Sequence, residues 1–262
     1  MRSVIAFLSD FGLRDSYVGI VKGVLASLVQ DPFIIDITHD VPPHDILRGA
    51  YILGCSHTFF PVGTVFLCVV DPGVGTERAG LVVCVGDRVF VAPDNGLLSE
   101  IFHRCKGWKA YRIETERFAA MPRLSSTFHA RDVFAPVAAR IACGMDPSES
   151  GPSHLHPVIL DLPVPNREKD ALVGEVIYDD RFGNLITNLD YQEVTSFLEG
   201  HAGVVEVGGV ICPIVQTYSD VPAGSLLALM GSDDRLEVAV SEGSALHVLG
   251  LGRGSKVLLR RR

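Results

Sequence analysis

The feature that most constrains the fold is the alternation of short apolar runs with longer helix-like segments between residue 4 and about residue 145. The runs are nearly continuous in apolar residues, as in strands buried on both faces of a sheet. This alternation predicts an α/β N-terminal domain around a central, mostly parallel sheet. The predicted strands are Val4 to Leu8, Phe33 to Ile37, Thr64 to Val70, Leu81 to Val85 and Val89 to Val91. The predicted helices are Tyr17 to Val29, Asp45 to Cys55, Leu97 to Phe102 and Val133 to Cys143.

The pattern changes after about residues 146 to 170, which are rich in Pro, Ser, His and Asp and have the composition of a linker. Strand-like runs then follow closely, and Gly208-Gly209 predicts a tight hairpin between two of them. We expect a smaller, β-rich and barrel-like C-terminal domain. Its predicted strands are Leu172 to Tyr178, Val204 to Val207, Val210 to Val215, Leu226 to Met230, Leu236 to Val240 and Lys256 to Leu259. The predicted organisation is an N-terminal domain over 1–160, a linker over 161–171 and a C-terminal domain over 172–262.

Charge and composition narrow the possible partners. The net charge of −8 at pH 7 leaves no basic surface for nucleic acid. No apolar run reaches the ~20 residues of a membrane span, and the N-terminal segment lacks the apolar core of a signal peptide. The cysteines lack CxxC spacing, and the histidines are not spaced as metal ligands on one helix face. We expect a cytoplasmic protein with no nucleic-acid partner, no membrane partner and no metal.

Polar residues follow the predicted strands, at the edge where open α/β sheets bind ligands. Asp10 follows the first strand, where a carboxylate can accept two hydrogen bonds from a ribose diol; a turn or cap aspartate is the alternative. Asp71 and Arg78 flank a Gly-rich loop at 72–75 that lacks phosphate-loop spacing. His129 lies on a third segment. These side chains could meet in one cleft, or could be a structural ion pair and a core histidine.

Seven sequence blocks, spread over nearly the whole chain, resemble the S-adenosyl-L-methionine (SAM) hydroxide adenosyltransferase family, whose relatives include fluorinating and chlorinating enzymes. Seven blocks in order are far more specific than any one of them. The resemblance implies an α/β N-terminal domain, a β-rich C-terminal domain and a homotrimer with each active site between neighbouring subunits. The blocks are SDFGLRDSYVG (9–19), DITHDVPPHDI (36–46), VVDPGVGTER (69–78), APDNGLL (92–98), STFHARDVFAPVAA (126–139), YDDRFGNLITNL (178–189) and GSDDRLEVAV (231–240).

The resemblance also implies roles for individual residues. Asp71, Arg78 and His129 fall on the set that activates water, and Asp10 falls on the carboxylate that holds the ribose hydroxyls. SAM is then the substrate, and no cofactor or metal is implied. Ala130 departs from the family, which has glycine there, and from the fluorinating relatives, which have serine; alanine would narrow the pocket slightly. The other implied substrate-binding positions are Phe128, Asp179, Phe182, Asn184, Ser232, Glu237 and Val240.

The activity implied by the family is hydrolysis of SAM by attack of an activated water at ribose C5′, giving adenosine and L-methionine. A sulfonium already leaves readily, so catalysis must act on the nucleophile. We expect Asp71 and His129 to share the proton while Arg78 supplies positive charge; the sequence does not distinguish which is the base, or which stereoisomer reacts. One alternative is a halide-using adenosyl transferase of the chlorinase or fluorinase type, which carries tyrosine in place of Asp71. Another is a non-catalytic adenosine or SAM sensor.

Overall fold

The computed structural model describes residues 4–118 and 125–262. The chain divides into two compact units, residues 1–160 and residues 161–262. Each unit has its own sheet and its own hydrophobic core. Within the described residues, no helix combines the length and the apolar character needed to cross a membrane.

The N-terminal unit is built on a six-stranded sheet. Its strands are β1 (Val4–Ser9), β2 (Phe33–Thr38), β3 (Val65–Val69), β4 (Gly80–Val85), β5 (Arg88–Pro93) and β6 (Lys109–Arg112). The order across the sheet is β2-β1-β3-β5-β4-β6. Strands β1, β2, β3 and β5 are parallel, and β4 runs antiparallel to both of its neighbours. The predicted α/β fold around a mostly parallel sheet is confirmed.

Helices cover both faces of this sheet. They are α1 (Tyr17–Leu28), α2 (Ile46–Ser56), α3 (Ser99–Arg104), α4 (Thr115–Phe118), a π-helical turn (Ala130–Phe134) and α5 (Ala135–Ala142). In β1, Ile5 and Phe7 join the core under α1 and α5, whereas Ala6 and Leu8 join the core under α2 and α3. All four side chains are fully buried. Burial on both faces explains why the strand has a continuous apolar run instead of an alternating one.

Parallel pairing brings three loops to one edge of the sheet. Leu8 of β1 pairs with Thr38 of β2, and Ser9 pairs with Val69 of β3. The segments that follow these strands therefore leave the sheet side by side. This carboxyl edge is where open α/β sheets bind ligands.

The C-terminal unit is an antiparallel sheet. Its strands are β7 (Asn166–Arg167), β8 (Leu172–Asp179), β9 (Leu185–Asp190), β10 (Gly203–Val207), β11 (Val210–Pro213), β12 (Leu226–Met230), β13 (Arg235–Val240) and β14 (Lys256–Arg261). The order is β11-β10-β14-β8-β9-β13-β12, with β7 paired to β8. A bridge from Ile214 to Ala228 links the two ends of this order, so the sheet is nearly closed. The predicted β-rich, barrel-like domain is confirmed.

The local predictions for this unit hold at the hairpin and are incomplete elsewhere. Gly208 and Gly209 form the turn between β10 and β11, and their φ angles of 57° and 78° suit glycine. The sequence did not predict β6, β7, β9, α4 or two helices of this unit, α6 (Tyr191–Leu198) and α7 (Ala245–Leu249). Strand β7 lies inside 161–171, the stretch assigned to a linker, where it pairs with β8.

Candidate active site

An open cavity of about 250 Å³ lies at the carboxyl edge of the N-terminal sheet. The loops after β1, β2 and β3 and the segment before the π-helical turn form its walls. Four of the predicted site residues, Asp10, Asp71, Phe128 and His129, line it together. The other lining residues are Phe11, Tyr17, Pro43, His44, Val69, Val74, Thr127 and Ala130.

Arg78 connects Asp71 to His129. Its Nε donates to both carboxylate oxygens of Asp71, at 2.9 and 3.0 Å, and its Nη2 makes a further short contact with Oδ2. The same Nη2 lies 2.9 Å from Nδ1 of His129. The side chains of Asp71 and Arg78 are 5% and 11% exposed, so water screens this ion pair weakly. The three separate sequence candidates therefore form one continuous chain of contacts.

The contact with Arg78 fixes where His129 carries its proton. A guanidinium only donates hydrogen bonds, so Nδ1 of His129 is the acceptor and the neutral ring holds its hydrogen on Nε2. Burial, and then the charge of Arg78, lower the pKa of His129 against the opposing charges of Asp71 and Asp132. His129 is therefore neutral near pH 7, with Nε2–H as a donor.

Two local features hold the loops that carry Asp71, Arg78 and His129 in place. At Gly75, where φ is +79°, a Cβ would lie 2.2 Å from the carbonyl oxygen of Ser126, so only glycine allows the two loops to approach this closely. Asp132 is fully buried, and its carboxylate accepts hydrogen bonds from the backbone N of Ser125 at 2.7 Å and from Nε and Nη2 of Arg131 at 2.6 and 2.9 Å. These hydrogen bonds anchor the segment that carries His129.

Asp10 and three aromatic rings form another part of the cavity. Oδ2 of Asp10 accepts a hydrogen bond from the backbone N of His44 at 2.9 Å. The ring of Phe128 meets those of Tyr17 and Phe11 edge to face, with centroids 5.3 and 6.0 Å apart. A carboxylate beside such rings suits a ligand with hydroxyl groups and an apolar or aromatic part.

The C-terminal unit has a separate pocket of about 470 Å³. Asp180 shapes the turn that forms it, because Oδ1 accepts from the backbone N of Phe182 and of Asn184, and Oδ2 accepts from Nδ2 of Asn184, all at 2.9 Å. The ring of Phe182 is 76% exposed. The lining residues are Phe182, Asn184, Tyr218, Val240, Glu242 and Gly243.

A buried carboxylate lies behind this pocket. Glu237 on β13 is 5% exposed and accepts a short hydrogen bond from the hydroxyl of Tyr218. Burial is the largest reason that the pKa of Glu237 is raised, and the charges of Asp180 and Asp233 add to it, against the hydrogen bond from Tyr218. The hydrogen bond with Glu237 holds Tyr218, which lines the pocket, in place.

Only some of the binding residues predicted in the C-terminal unit line this pocket. Phe182, Asn184 and Val240 line the pocket. Three predicted residues are not among the lining residues in the described part of this unit. Asp179 ends β8, Ser232 lies in the exposed turn between β12 and β13, and Glu237 lies behind Tyr218. The unpredicted lining residues are Tyr218, Glu242 and Gly243. For Tyr218 the only sequence signal was an aromatic residue in a polar loop.

The described side chains offer no obvious metal site. Across residues 4–118 and 125–262, no group of three or more His, Cys, Asp or Glu side chains is arranged to hold a metal ion. Two histidines outside the cavity have protein partners instead: Nδ1 of His57 lies 3.0 Å from the carbonyl oxygen of Gly54, and Nε2 of His154 lies 2.9 Å from Asp94.

Family comparison agrees with the sequence blocks. Residues 5–151 match the SAM hydroxide adenosyltransferase N-terminal domain, and residues 174–258 match the SAM hydroxide adenosyltransferase C-terminal domain. Because these matches cover most of the chain, this protein belongs to the SAM hydroxide adenosyltransferase family.

The matches to individual relatives cover nearly the full chain. A protein of Thermus thermophilus named (R)-S-adenosyl-L-methionine hydrolase is 43% identical over 97% of this chain and 98% of its own length. A fluorinase of Nocardia brasiliensis is 26% identical over 99% of this chain and 97% of its own length. The crystal structure of an uncharacterized conserved protein from Thermotoga maritima superposes with a TM-score of 0.92 at 35% identity, covering 98% of this chain and 100% of that one.

Proposed function

We propose that this protein is a SAM hydrolase, in which a water displaces methionine from ribose C5′ and releases adenosine and L-methionine. The observation that carries the proposal is that Asp71 and His129, which are linked through Arg78, line the same cavity as Asp10. A shielded charged group that can act on water stands there beside a carboxylate suited to a ribose diol. The name of the Thermus relative supports the same reaction.

The substrate we propose is the (R) stereoisomer at the sulfonium. Relatives at 43%, 38% and 32% identity all carry (R)-S-adenosyl-L-methionine in their names. The configuration at sulfur decides where the methionine chain points once adenosine is held, so contacts with that chain must supply the selectivity. Phe182, Asn184 and Glu242 in the C-terminal pocket are the residues we assign to those contacts.

In the proposed reaction, the water oxygen bonds to C5′ and the C5′–S bond breaks, with its electron pair passing to sulfur. The sulfonium becomes a neutral thioether, so the leaving group needs no proton. Bulk water, with a pKa of about 15.7, is the weak partner in this substitution. Holding it in line with C5′ and beside a fixed charge lowers the barrier through orientation and electrostatic stabilisation.

Asp71 is the proton acceptor that this geometry favours. In His129, Nδ1 is occupied by Arg78 and Nε2 carries the hydrogen, so neither nitrogen is free to take a proton. A carboxylate has about four lone-pair sites, and the three contacts from Arg78 leave capacity on Asp71. His129 then orients the water by donating from Nε2–H, and Arg78 balances the charge of the developing hydroxide.

The cavity volumes support a site completed by a second surface. About 250 Å³ in the N-terminal unit is smaller than the roughly 300–1,000 Å³ typical of ligand pockets. We therefore keep the family expectation of a homotrimer with active sites at subunit interfaces. Mixing His129→Ala protein with a Phe182→Ala variant, assayed at SAM concentrations well below KM, should restore part of the activity if the two residues serve one site from different subunits; strictly additive residual activities would contradict this arrangement.

We also propose a reducing compartment for this protein and a reaction that uses no cofactor. All six cysteines are free thiols, which supports a reducing compartment such as the cytoplasm. The reaction we propose needs no cofactor, because the electrophile and the leaving group are both part of SAM.

Product analysis tests the proposal. Purified protein is incubated with each sulfonium epimer of SAM, with and without chloride or fluoride, and nucleosides are separated by chromatography. We expect adenosine without halide, formed faster from the (R) epimer. His129→Ala should lower kcat more than it raises KM, whereas His57→Ala, a buried histidine outside the cavity, should retain kcat.

The other outcomes identify the alternatives. Halogenated adenosine that appears only with halide would indicate the chlorinase or fluorinase type of reaction. Tight binding without turnover of either epimer would indicate a sensor, and both results would contradict the hydrolase.

A further inference from the structure

A second chain of polar side chains lies behind Asp10. Nζ of Lys22 lies 2.6 Å from Oδ2 of Asp36, and Oδ1 of Asp36 lies 3.1 Å from Nε2 of His39, a close contact that is not aligned as a hydrogen bond. Nδ1 of His39 lies 2.7 Å from Oγ of Ser9. Ser9 is the last residue of β1 and directly precedes Asp10. The proposed reaction uses none of these four side chains.

Burial limits the possible roles of these four side chains. Ser9 is 0% exposed and His39 is 4% exposed, so the serine hydroxyl cannot meet a substrate, although the residue types are those of a nucleophilic triad. A proton on Nε2 of His39, facing Asp36, leaves Nδ1 to accept from the Ser9 hydroxyl. Oγ of Ser9 accepts in turn from the backbone N of Phe11, at 3.4 Å. One neutral tautomer of His39 therefore serves the contacts on both sides of the ring, which is the arrangement of a structural support.

The surroundings of His39 favour that neutral ring. Burial is the main reason that the pKa of His39 is lowered; Lys22 lowers it further, and Asp36 and Asp40 act in the opposite direction. The ring also packs edge to face against Phe7, with centroids 4.6 Å apart. These contacts hold the imidazole in one orientation.

His39 also connects the two loops that place Asp10. The backbone N of Gly12, after β1, donates to the carbonyl oxygen of His39 at 2.8 Å. The backbone N of His44, after β2, donates to Oδ2 of Asp10 at 2.9 Å. A shift of His39 would therefore disturb the backbone on both sides of the Asp10 carboxylate.

We propose that His39 and Ser9 are positioning residues that hold the Asp10 carboxylate in the orientation required by the two ribose hydroxyls. The inference rests on the proposed function, which gives Asp10 its ribose. A carboxylate binds a diol well only when both groups are oriented together, because small displacements weaken both hydrogen bonds. Loosening the support should therefore affect ligands that carry the hydroxyls and spare those that lack them.

Calorimetric binding of adenosine and of 2′,3′-dideoxyadenosine tests this inference. The wild-type protein should prefer adenosine. Ser9→Ala and His39→Leu should weaken adenosine binding about tenfold and change dideoxyadenosine binding less than about twofold. His39→Asn should stay within about threefold of wild type for both ligands, because its side-chain oxygen can still accept from Ser9.

His57→Leu is the matched control, since His57 is also 4% exposed and packs against Phe90 away from the cavity. It should lower Tm without changing the ratio of the two Kd values. Equal weakening of both ligands by Ser9→Ala and His39→Leu, or no weakening of adenosine, would overturn the inference and leave the hydrolase intact. A wild-type protein that binds both ligands equally would overturn the inference together with the ribose role of Asp10, whereas the turnover assay decides the reaction independently.

Discussion

The two cavities are built in contrasting ways. In the N-terminal unit, the guanidinium of Arg78 is hydrogen-bonded on both sides, Asp71 is 5% exposed, and the backbone approach at Gly75 fixes the loops. In the C-terminal unit, the pocket is larger, about 470 Å³ against about 250 Å³, and Phe182 is 76% exposed. A fixed electrostatic arrangement suits chemistry, whereas an open surface suits recognition. Changes in the contacts of Asp71, Arg78 and His129 should therefore act on kcat, and changes in the C-terminal pocket should act on KM.

Asp71→Asn should have the largest effect. The amide keeps the size of the side chain and removes the proton acceptor, so kcat for SAM should fall about 10²- to 10⁴-fold while KM changes less than about threefold. Steady-state adenosine formation measures both. Glu100→Gln is the control, because Glu100 is buried and paired with Arg104 outside the cavity; it should lower Tm and retain kcat. Comparable kcat in wild type and Asp71→Asn would exclude the carboxylate as the base.

Gly75→Ala should come next. Its Cβ would meet the carbonyl oxygen of Ser126 at 2.2 Å in a left-handed backbone conformation, which pushes the loop of Asp71 and Arg78 away from that of His129. A displacement near 1 Å can cost about 10²-fold, so we expect kcat to fall about ten- to hundredfold.

Gly73→Ala in the same loop is the matched control. A Cβ there meets its nearest atom at 3.5 Å, an ordinary contact, and no left-handed backbone is involved. We expect nearly unchanged kcat. Equal losses in the Gly73 and Gly75 variants would mean that the loop tolerates no side chain anywhere, and that the approach to Ser126 is not the cause.

Phe182→Ala should change the other parameter. Removal of the exposed ring should raise KM for SAM about three- to tenfold, with kcat within about twofold, because a lost aromatic contact is worth roughly 0.5–1.5 kcal/mol. Phe59→Ala removes a ring that is 79% exposed and lines neither cavity, so its KM should match wild type. A fall in kcat with constant KM would assign Phe182 to the chemistry and erase the contrast between the units.

The smallest effect concerns pH. Burial and the charge of Arg78 hold the pKa of His129 below about 6.5, and protonation would place a hydrogen on Nδ1 against Nη2 of Arg78. kcat should therefore be flat above pH 7, change less than about twofold down to pH 6.5, and fall further below. Stability declines in the same direction, because the unfolded histidine binds its proton first as the pH drops.

His129→Gln checks the origin of this acidic limb. The glutamine oxygen can accept from Arg78 without titrating, so the pH profile of kcat should lose the limb. A limb that persists in the variant would belong to another group.

The apolar pattern predicted the apolar strands and missed β9, a buried strand that contains polar residues. Residues 5–8 of β1 are fully buried and all apolar, so the strand was straightforward to predict. In β9, Thr187 and Asn188 are almost completely buried yet polar, which breaks the pattern. Their side chains are satisfied by the carbonyl oxygens of Leu236 and Pro163, at 2.7 and 2.9 Å. Such partners are distant in sequence, and composition does not reveal them.

The candidate site divides in the same way. The sequence blocks shared with the family identified Asp71, Arg78 and His129 as candidates. Only the geometry shows that Arg78 donates to Nδ1 of His129 and so decides the tautomer. Tyr218 was missed because its role depends on Glu237, which lies on a strand 19 residues away. Pairings of this kind depend on sheet register, which a sequence without its fold does not specify.

The most direct test of the account is turnover of (R)-SAM in water enriched in ¹⁸O, with mass spectrometry of both products. Attack of water at C5′ predicts adenosine that carries one ¹⁸O in its 5′-hydroxyl group, together with unlabelled methionine. Label on the methionine-derived product, or adenosine formed without label, would contradict the proposed attack of water at C5′ beside the linked side chains of Asp71, Arg78 and His129.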